Sequence, residues 1–238
     1  MEAGLVHGFT HRDGGFSEGP FASLNLGTRM GDSPDNVAKN QKGLEATALA
    51  MRGKTAPLHW HRASQVHSAI ITEASESTLS ANPPEADALI TNRPGQCLAV
   101  HVADCVPIIL FDPHAKALAV IHAGWRGTAG NIAYNAVQAI CSKYNAEPRN
   151  LLAAIGPSIG PCCYRVGPEC AERFPGECVD DSMHLDLWLA NKLNLLSAGV
   201  PTQNIHIAKS CTACNYDRYF SHRASGGSTG RMAAFGLL

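Results

Sequence analysis

The sequence predicts an α/β chain of the α+β kind, with helices packed on mixed β-sheets in a single layered domain over residues 1–238. Three observations predict it. Strand-like stretches rich in Val, Ile and Leu fill the middle, from Cys97 to Phe111 and from Ala117 to His122. Apolar residues recur at helical spacing in two later segments. A hydrophobic content of 45% with 16% charged residues supplies a full core.

The elements follow in order. Gly14-Gly15, Ser33-Pro34 and Pro83-Pro84 mark loops. Asn25 to Met51 reads as a loop feeding a helix, with Ser33 as cap, Pro34 in the first turn and Asp35 near the positive end. A short strand spans Ala69 to Thr72, and the polar segment Ser75 to Pro84 is a surface loop or linker. Turn chemistry over Asp112 to Lys116 joins the two central strands. Gly124 to Thr128 leads into a helix carrying Ile132, Ala136, Val137, Ile140 and Tyr144. A second stripe, Leu185, Trp188, Leu189, Leu193 and Leu196, stops at Gly199 and Pro201. Short strands are expected at Leu151 to Ile155 and Ile205 to Ala208, and Ser225 to Gly230 is a glycine-rich loop.

Formal charge is −1, so no basic excess drives nucleic-acid binding. Met1 to Thr10 lacks the basic and apolar regions of a signal peptide. The longest apolar run is interrupted by His101, Asp104 and Pro107, and a membrane span needs about 20 apolar residues. Nine cysteines is an odd count. Together these features predict a cytoplasmic protein with most thiols packed as small apolar groups. No segment reads as an oligomerisation motif, so a monomer is expected.

Spacing alone suggests one chemical pair. If the central strands form a hairpin, Cys105 falls opposite His122 or Ala123. Opposed side chains on one face have Cβ atoms roughly 4.5–5.5 Å apart, so thiolate and imidazole could share a metal. A slip of one residue would put them on different faces. His101 is four residues from Cys105, roughly 13 Å along a strand, too far to share a zinc ion with it. It reads as a buried or edge histidine with a backbone partner. His67 competes with His59, His61, His101, His114 and His122 as a further ligand, and spacing does not select among them.

Longer motifs carry more. Gln65-Val66-His67, Ala86-Asp87-Ala88-Leu89-Ile90-Thr91, Ala103-Asp104-Cys105-Val106-Pro107 and His122-Ala123-Gly124-Trp125-Arg126-Gly127-Thr128 occur in that order. They are followed by Ile155 to Gly160, Cys163-Tyr164, His184 to Leu187, Cys211-Thr212, Tyr219 to Arg223 and Thr229 to Arg231. His7 to Thr10 and Ser23 to Gly27 extend the set towards the start. In these motifs, across nearly its whole length, the chain resembles the laccase-domain family. That family was once described as multicopper polyphenol oxidases and is now described as zinc-dependent purine nucleoside phosphorylases.

The resemblance implies a His-Cys-His metal site, carried here by His67, Cys105 and His122, in one α/β domain. It implies zinc as cofactor, with copper as the alternative; two imidazoles and a thiolate suit both. It implies phosphorolysis of adenosine, inosine, guanosine and methylthioadenosine, and deamination of adenosine, with purine nucleosides and phosphate as partners. Three protein ligands leave a fourth position open, the pattern of catalytic zinc. Arg126, beside His122 and near a helix start, is either a phosphate contact or an ordinary ion-pair partner. Asp104 either orients a ligand or substrate from behind, or caps backbone. The family usually reads Asn-Arg at Asn40-Gln41 and Cys-Tyr-Glu at Cys163-Tyr164-Arg165, departures that bear on substrate anchoring.

Three other readings stand beside this one. A copper polyphenol oxidase would need more paired histidines than this chain supplies. A metal-free cysteine hydrolase would use Cys105 as nucleophile and His122 as base. A zinc-stabilised interaction protein would need a fourth ligand, such as Cys211. The spacing Cys211-Thr212-Ala213-Cys214 suits zinc or redox sites, but no second such pair exists and Cys162-Cys163 is not expected to replace it. Cys211 and Cys214 are read as packing thiols near the pocket, or else a redox pair.

Overall fold

The computed structural model describes residues 4–53 and 58–238. Met1 to Ala3, which open the segment read for a leader, lie outside the described residues. Two sheets stack face to face, with helices on both outer surfaces. The four-stranded sheet has the order β1 (Val6–Phe9), β10 (Met232–Leu237), β5 (Gln96–Val102), β2 (His59–His61). The six-stranded sheet runs β3 (Ile71–Glu73), β4 (Ala88–Thr91), β7 (Ala117–Ala123), β6 (Val106–Asp112), β8 (Leu152–Ile155), β9 (Ile205–Ile207). Both mix parallel and antiparallel pairs.

Alternation along the central strands builds the layers. Leu98 and Val100 of β5, Ile109 and Phe111 of β6, and Leu118 and Val120 of β7 fill the space between the sheets. The other faces of β6 and β7 pack on α3 (Ile132–Tyr144) and α5 (Leu187–Ser197), through Ile108, Leu110, Ile121, Ala136, Ile140 and Leu195. Cys97 and Ala99 turn instead to Leu44 and Ala48 of α1 (Pro34–Arg52). A strand buried on both faces reads as a continuous apolar run, which is why these strands were visible in the sequence.

The capped helix is observed as expected. The Ser33 side chain accepts from Asn36 N, Pro34 and Asp35 occupy the first turn, and Gly53 ends α1 at φ +65°. The central turn is also as expected: Asp112 Oδ1 accepts from His114 N at 2.8 Å and Ala115 N at 3.1 Å. After β7, a short helix α2 (Trp125–Ala129) precedes α3, and α4 (Pro168–Ala171) lies in the loop between β8 and α5.

Two expectations are corrected. Cys97 to Phe111 is not one strand: it divides into β5 and β6, which belong to different sheets. The break falls at Asp104, whose φ of +83° is incompatible with a continuing strand. Secondly, the β6–β7 pairing sets Pro107 opposite His122 and Val106 opposite Ala123. Cys105 therefore precedes the ladder and has no cross-strand partner in it.

Candidate metal centre and pocket

The bend that ends β5 brings Cys105 to the point where the chain crosses between the sheets. His122 arrives as the penultimate residue of β7 and is buried. His67 comes from the loop before β3, at φ +59°. The donor atoms of His67, Cys105 and His122 all lie within 4.8 Å of one another. The two imidazole rings meet edge-on, 4.9 Å between centroids. Two of the non-glycine residues with left-handed backbone, His67 and Asp104, border this one site; Asp and His adopt that conformation more readily than most side chains.

Asp87, just before β4, organises the cluster. It is fully buried. Its Oδ1 accepts from His122 Nδ1 at 2.7 Å and from His67 N at 3.0 Å. Its Oδ2 accepts from Ser68 N at 2.6 Å, Ser68 Oγ at 2.7 Å and Val66 N at 3.2 Å. One carboxylate thus holds both the loop that presents His67 and the ring of His122. Burial alone would raise the Asp87 carboxyl, but the bonds from His122 and Ser68 outweigh it and hold the pKa down to about 2.

The other two groups are strongly coupled. Burial works to raise the Cys105 thiol, but the His122 charge and the hydrogen bonds from both histidines bring it down to about 6. Burial opposes charge on His122, and Cys105 and Asp87 on its two sides raise it to about 9. The site favours a thiolate at neutral pH, the form in which cysteine ligates metals or attacks carbon.

These residues fit a metal ion. A thiolate and two imidazoles within one small triangle form a zinc- or copper-type donor set. With its Nδ1 donating to Asp87, His122 keeps Nε2 as the free donor, the carboxylate–histidine arrangement common behind metal ligands. Gly124 lies against the cluster: a Cβ there would stand 3.1 Å from Cys105 Sγ and 3.1 Å from His67 Cδ2. Only a residue without a side chain leaves both ligands undisturbed.

The cluster opens into a cavity of about 800 Å³, within the range of small-molecule sites. Arg29, Arg62, Arg223 and Arg231 line it together with Tyr164 and His222. Among the described residues, none of these arginines forms an ion pair with a carboxylate. Gln41 Oε1 accepts from Arg62 at 3.4 Å, so the departure at this position touches the pocket wall directly. Arg165 is exposed, and its carbonyl accepts from Arg223 at 3.1 Å.

The remaining candidates are placed as follows. Asp104 lines the cavity, but its carboxylate is engaged by Thr212 Oγ1 at 2.6 Å and Arg223 N at 2.7 Å, so it fixes two loops. Arg126 is exposed and stacks 4.3 Å above the Trp125 ring, outside the cavity lining. The backbone partner expected for the His101 ring is not found among the described residues: the residue is held instead through its own main chain, its N donating to Gln65 Oε1 at 2.7 Å and its O accepting from Gln65 Nε2 at 2.8 Å. It also lines the cavity, with its pKa lowered to about 4 by burial and by Arg62 and Arg231. His61 is buried against Thr78 Oγ1 at 2.7 Å, while His59 and His114 are exposed. Sequence reasoning missed Asp87 and the pocket arginines as functional groups. Asp87 stood in a quoted motif, but nothing in its spacing ties it to residues 20 and 35 positions away.

A sequence profile described as multi-copper polyphenol oxidoreductase laccase matches residues 6–238. The chain belongs to that family. Among its relatives, a protein of Geobacillus stearothermophilus named purine nucleoside phosphorylase YlmD is 40% identical, over 98% of this chain and 90% of its own length. A purine nucleoside phosphorylase of Deinococcus radiodurans is 38% identical over 98% of this chain and 89% of its own. A protein named adenosine deaminase, from an unknown prokaryotic organism, is 40% identical over 61% of this chain and 59% of its own. The fold is also that of the crystal structure of YlmD from Geobacillus stearothermophilus. Its TM-score is 0.91 at 38% identity, covering 99% of this chain and 92% of that one.

Proposed function

We propose that this chain is a purine nucleoside phosphorylase acting as one domain, with His67, Cys105 and His122 holding a catalytic zinc ion and the pocket arginines receiving phosphate. The observation that carries this reading is a three-ligand cluster opening onto a cavity with four arginines that have no carboxylate partner among the described residues. The names of long, well-covered relatives support the reaction class.

A cation at this site supplies a Lewis acid at neutral pH. The chain's own residues do the rest. Cys105, kept as a thiolate by its histidine neighbours, balances part of the cation's charge, and Asp87 fixes the His122 ring. Arg62 and Arg231 would draw in phosphate and steady its charge as it attacks the ribose anomeric carbon. The glycosidic C–N bond breaks, a C–O bond to phosphate forms, and the base departs with a proton. Arg126 lies outside the lining, so the phosphate role passes to the pocket arginines. A reducing cytoplasm suits an active site built on a thiolate, and a monomer suits a pocket formed within one chain.

Adenosine deamination is the second activity, favoured by the identity to the named deaminase. A thiol hydrolase remains the competing mechanism, because Cys105, His122 and Asp87 also stand in nucleophile–base–carboxylate order. His67, at the third corner of the cluster, favours the cation. Incubating the protein with inosine or adenosine, with and without phosphate, tests the reading. Free base appearing only with phosphate, and lost with a chelator, is expected. Base release that ignores phosphate would overturn the phosphorylase assignment, and inosine formed from adenosine would reveal the deaminase.

A further inference from the structure

Four cysteines that the reaction does not use, none of them in the cavity lining, meet in one cluster. Cys162 and Cys163 lie in the loop after β8, and Cys211 and Cys214 in the loop after β9. Their sulfur atoms all lie within 4.8 Å of one another. Cys214 Sγ is 3.4 Å from Cys162 Sγ and 3.3 Å from Cys163 Sγ. The adjacent pair therefore does supply the partners that the sequence reading denied to Cys211 and Cys214.

The spacing distinguishes the chemistries open to four thiols. A disulfide requires sulfurs roughly 2.05 Å apart. Four thiolates at about 2.3 Å from a central zinc ion form a tetrahedron with edges of roughly 3.8 Å. The two contacts at 3.3 and 3.4 Å are a little shorter than that edge, and all four sulfurs lie within 4.8 Å of one another. Soft thiolates select zinc over hard divalent cations, and a tetrahedral all-sulfur set is its common structural site.

A second observation concerns the backbone around Cys211. Gly160 N donates to Cys211 Sγ at 3.2 Å, and the backbone amides of Ala213 and Cys214 also turn towards that sulfur, favouring its thiolate. The Cys-x-x-Cys loop thus wraps its own amides around its first sulfur, as a loop built to hold a metal-bound thiolate does. Packing thiolates together is unfavourable unless a cation offsets their charge. Cys162 and Cys214 are exposed, which leaves an entry path.

We propose that Cys162, Cys163, Cys211 and Cys214 form a second, structural zinc site with four thiolate ligands. Binding releases the thiol protons, and no electrons move. The site staples the loops that carry the pocket. Tyr164 follows Cys163, and Arg223 donates to Cys163 O at 3.2 Å. Thr212, beside Cys211, holds Asp104 next to the first cluster. A closed, four-ligand site of this kind needs no open position and takes no part in turnover.

Metal analysis of the Cys105→Ala protein, which lacks the thiolate of the first cluster, tests the proposal. About one zinc per chain is expected to survive dialysis, and cobalt exchanged into it should show the intense visible bands of a tetrahedral thiolate site. Adding Cys163→Ser and Cys214→Ser should remove both the zinc and the bands. If that variant does not fold, a mercurial titration of folded Cys105→Ala protein answers instead, with zinc released as the thiols react. No zinc in the Cys105→Ala protein would overturn the proposal. So would two thiols that become titratable only after reduction, which would make the cluster a disulfide.

Discussion

Asp87 Oδ1 stands 2.7 Å from His122 Nδ1 and 3.0 Å from the backbone N of His67. A single buried carboxylate therefore positions two ligands that come from different parts of the chain. Its second oxygen closes the loop at Ser68. The candidate metal centre is thus rigid where it meets β4 and β7 and open where it meets the cavity.

Replacing this group should loosen the metal more than the fold. Asp87→Asn keeps the shape but removes the charge behind His122. Loss of such a partner typically costs 10–100-fold in metal affinity. Competition with a chromophoric chelator measures it, and an unchanged affinity would remove Asp87 from the account.

Gly124 offers a steric test. Its backbone is extended, φ −71° and ψ 171°, so alanine is conformationally allowed. The added Cβ would press on both Cys105 Sγ and His67 Cδ2. Gly124→Ala should lower cation occupancy and turnover several-fold while leaving the circular-dichroism spectrum unchanged. Gly43 is the control, since nothing lies within 4 Å of a Cβ there. In the interior of α1, Gly43→Ala should stabilise by about 0.5–1 kcal/mol, read as a rise in denaturant midpoint with activity retained.

The arginines separate two readings of phosphate binding. Arg231→Ala and Arg62→Ala should raise the KM for phosphate by at least tenfold, with a smaller effect on nucleoside KM. Arg126→Ala should leave both within twofold. Steady-state rates against phosphate concentration decide between them, and the reverse pattern would return the role to Arg126.

Glu73 gives a pH prediction away from the site. Its carboxylate accepts from Tyr144 OH at 2.7 Å and pairs with Lys143 Nζ at 2.8 Å, tying β3 to α3. The hydrogen bond from Lys143 outweighs burial and lowers its pKa. A lowered carboxyl contributes stability that is present above its unfolded pKa, about 4.3, and is lost as pH falls through the folded value. The pair is partly exposed, so the contribution is about 0.5–1 kcal/mol. Urea midpoints of wild type and Glu73→Gln should differ at pH 7 and converge as the pH falls below the lowered folded value.

Much of the fold was legible because β6 and β7 are buried on both faces and α1 carries its own cap. Residues at the ends of the chain gave no such signal. β1 and β10 pair across more than 220 residues, and their short, small-residue strands follow no strong alternation. Asp104 hid the division of β5 from β6, since a single left-handed residue leaves the apolar run almost intact. His67, Cys105 and His122 came from family resemblance, while the hairpin argument placed Cys105 opposite His122 or Ala123, one or two positions too deep. Asp87 and the four-cysteine cluster required the fold itself, because each assembles from loops far apart in sequence.

The most direct test strips the protein of metal and returns zinc in measured amounts while phosphate-dependent loss of inosine is followed. Turnover should be absent from stripped wild type, return in proportion to occupancy of the first site, and fail to return in Cys105→Ala. Full turnover by the stripped protein would contradict the metal-dependent account and favour Cys105 as a nucleophile.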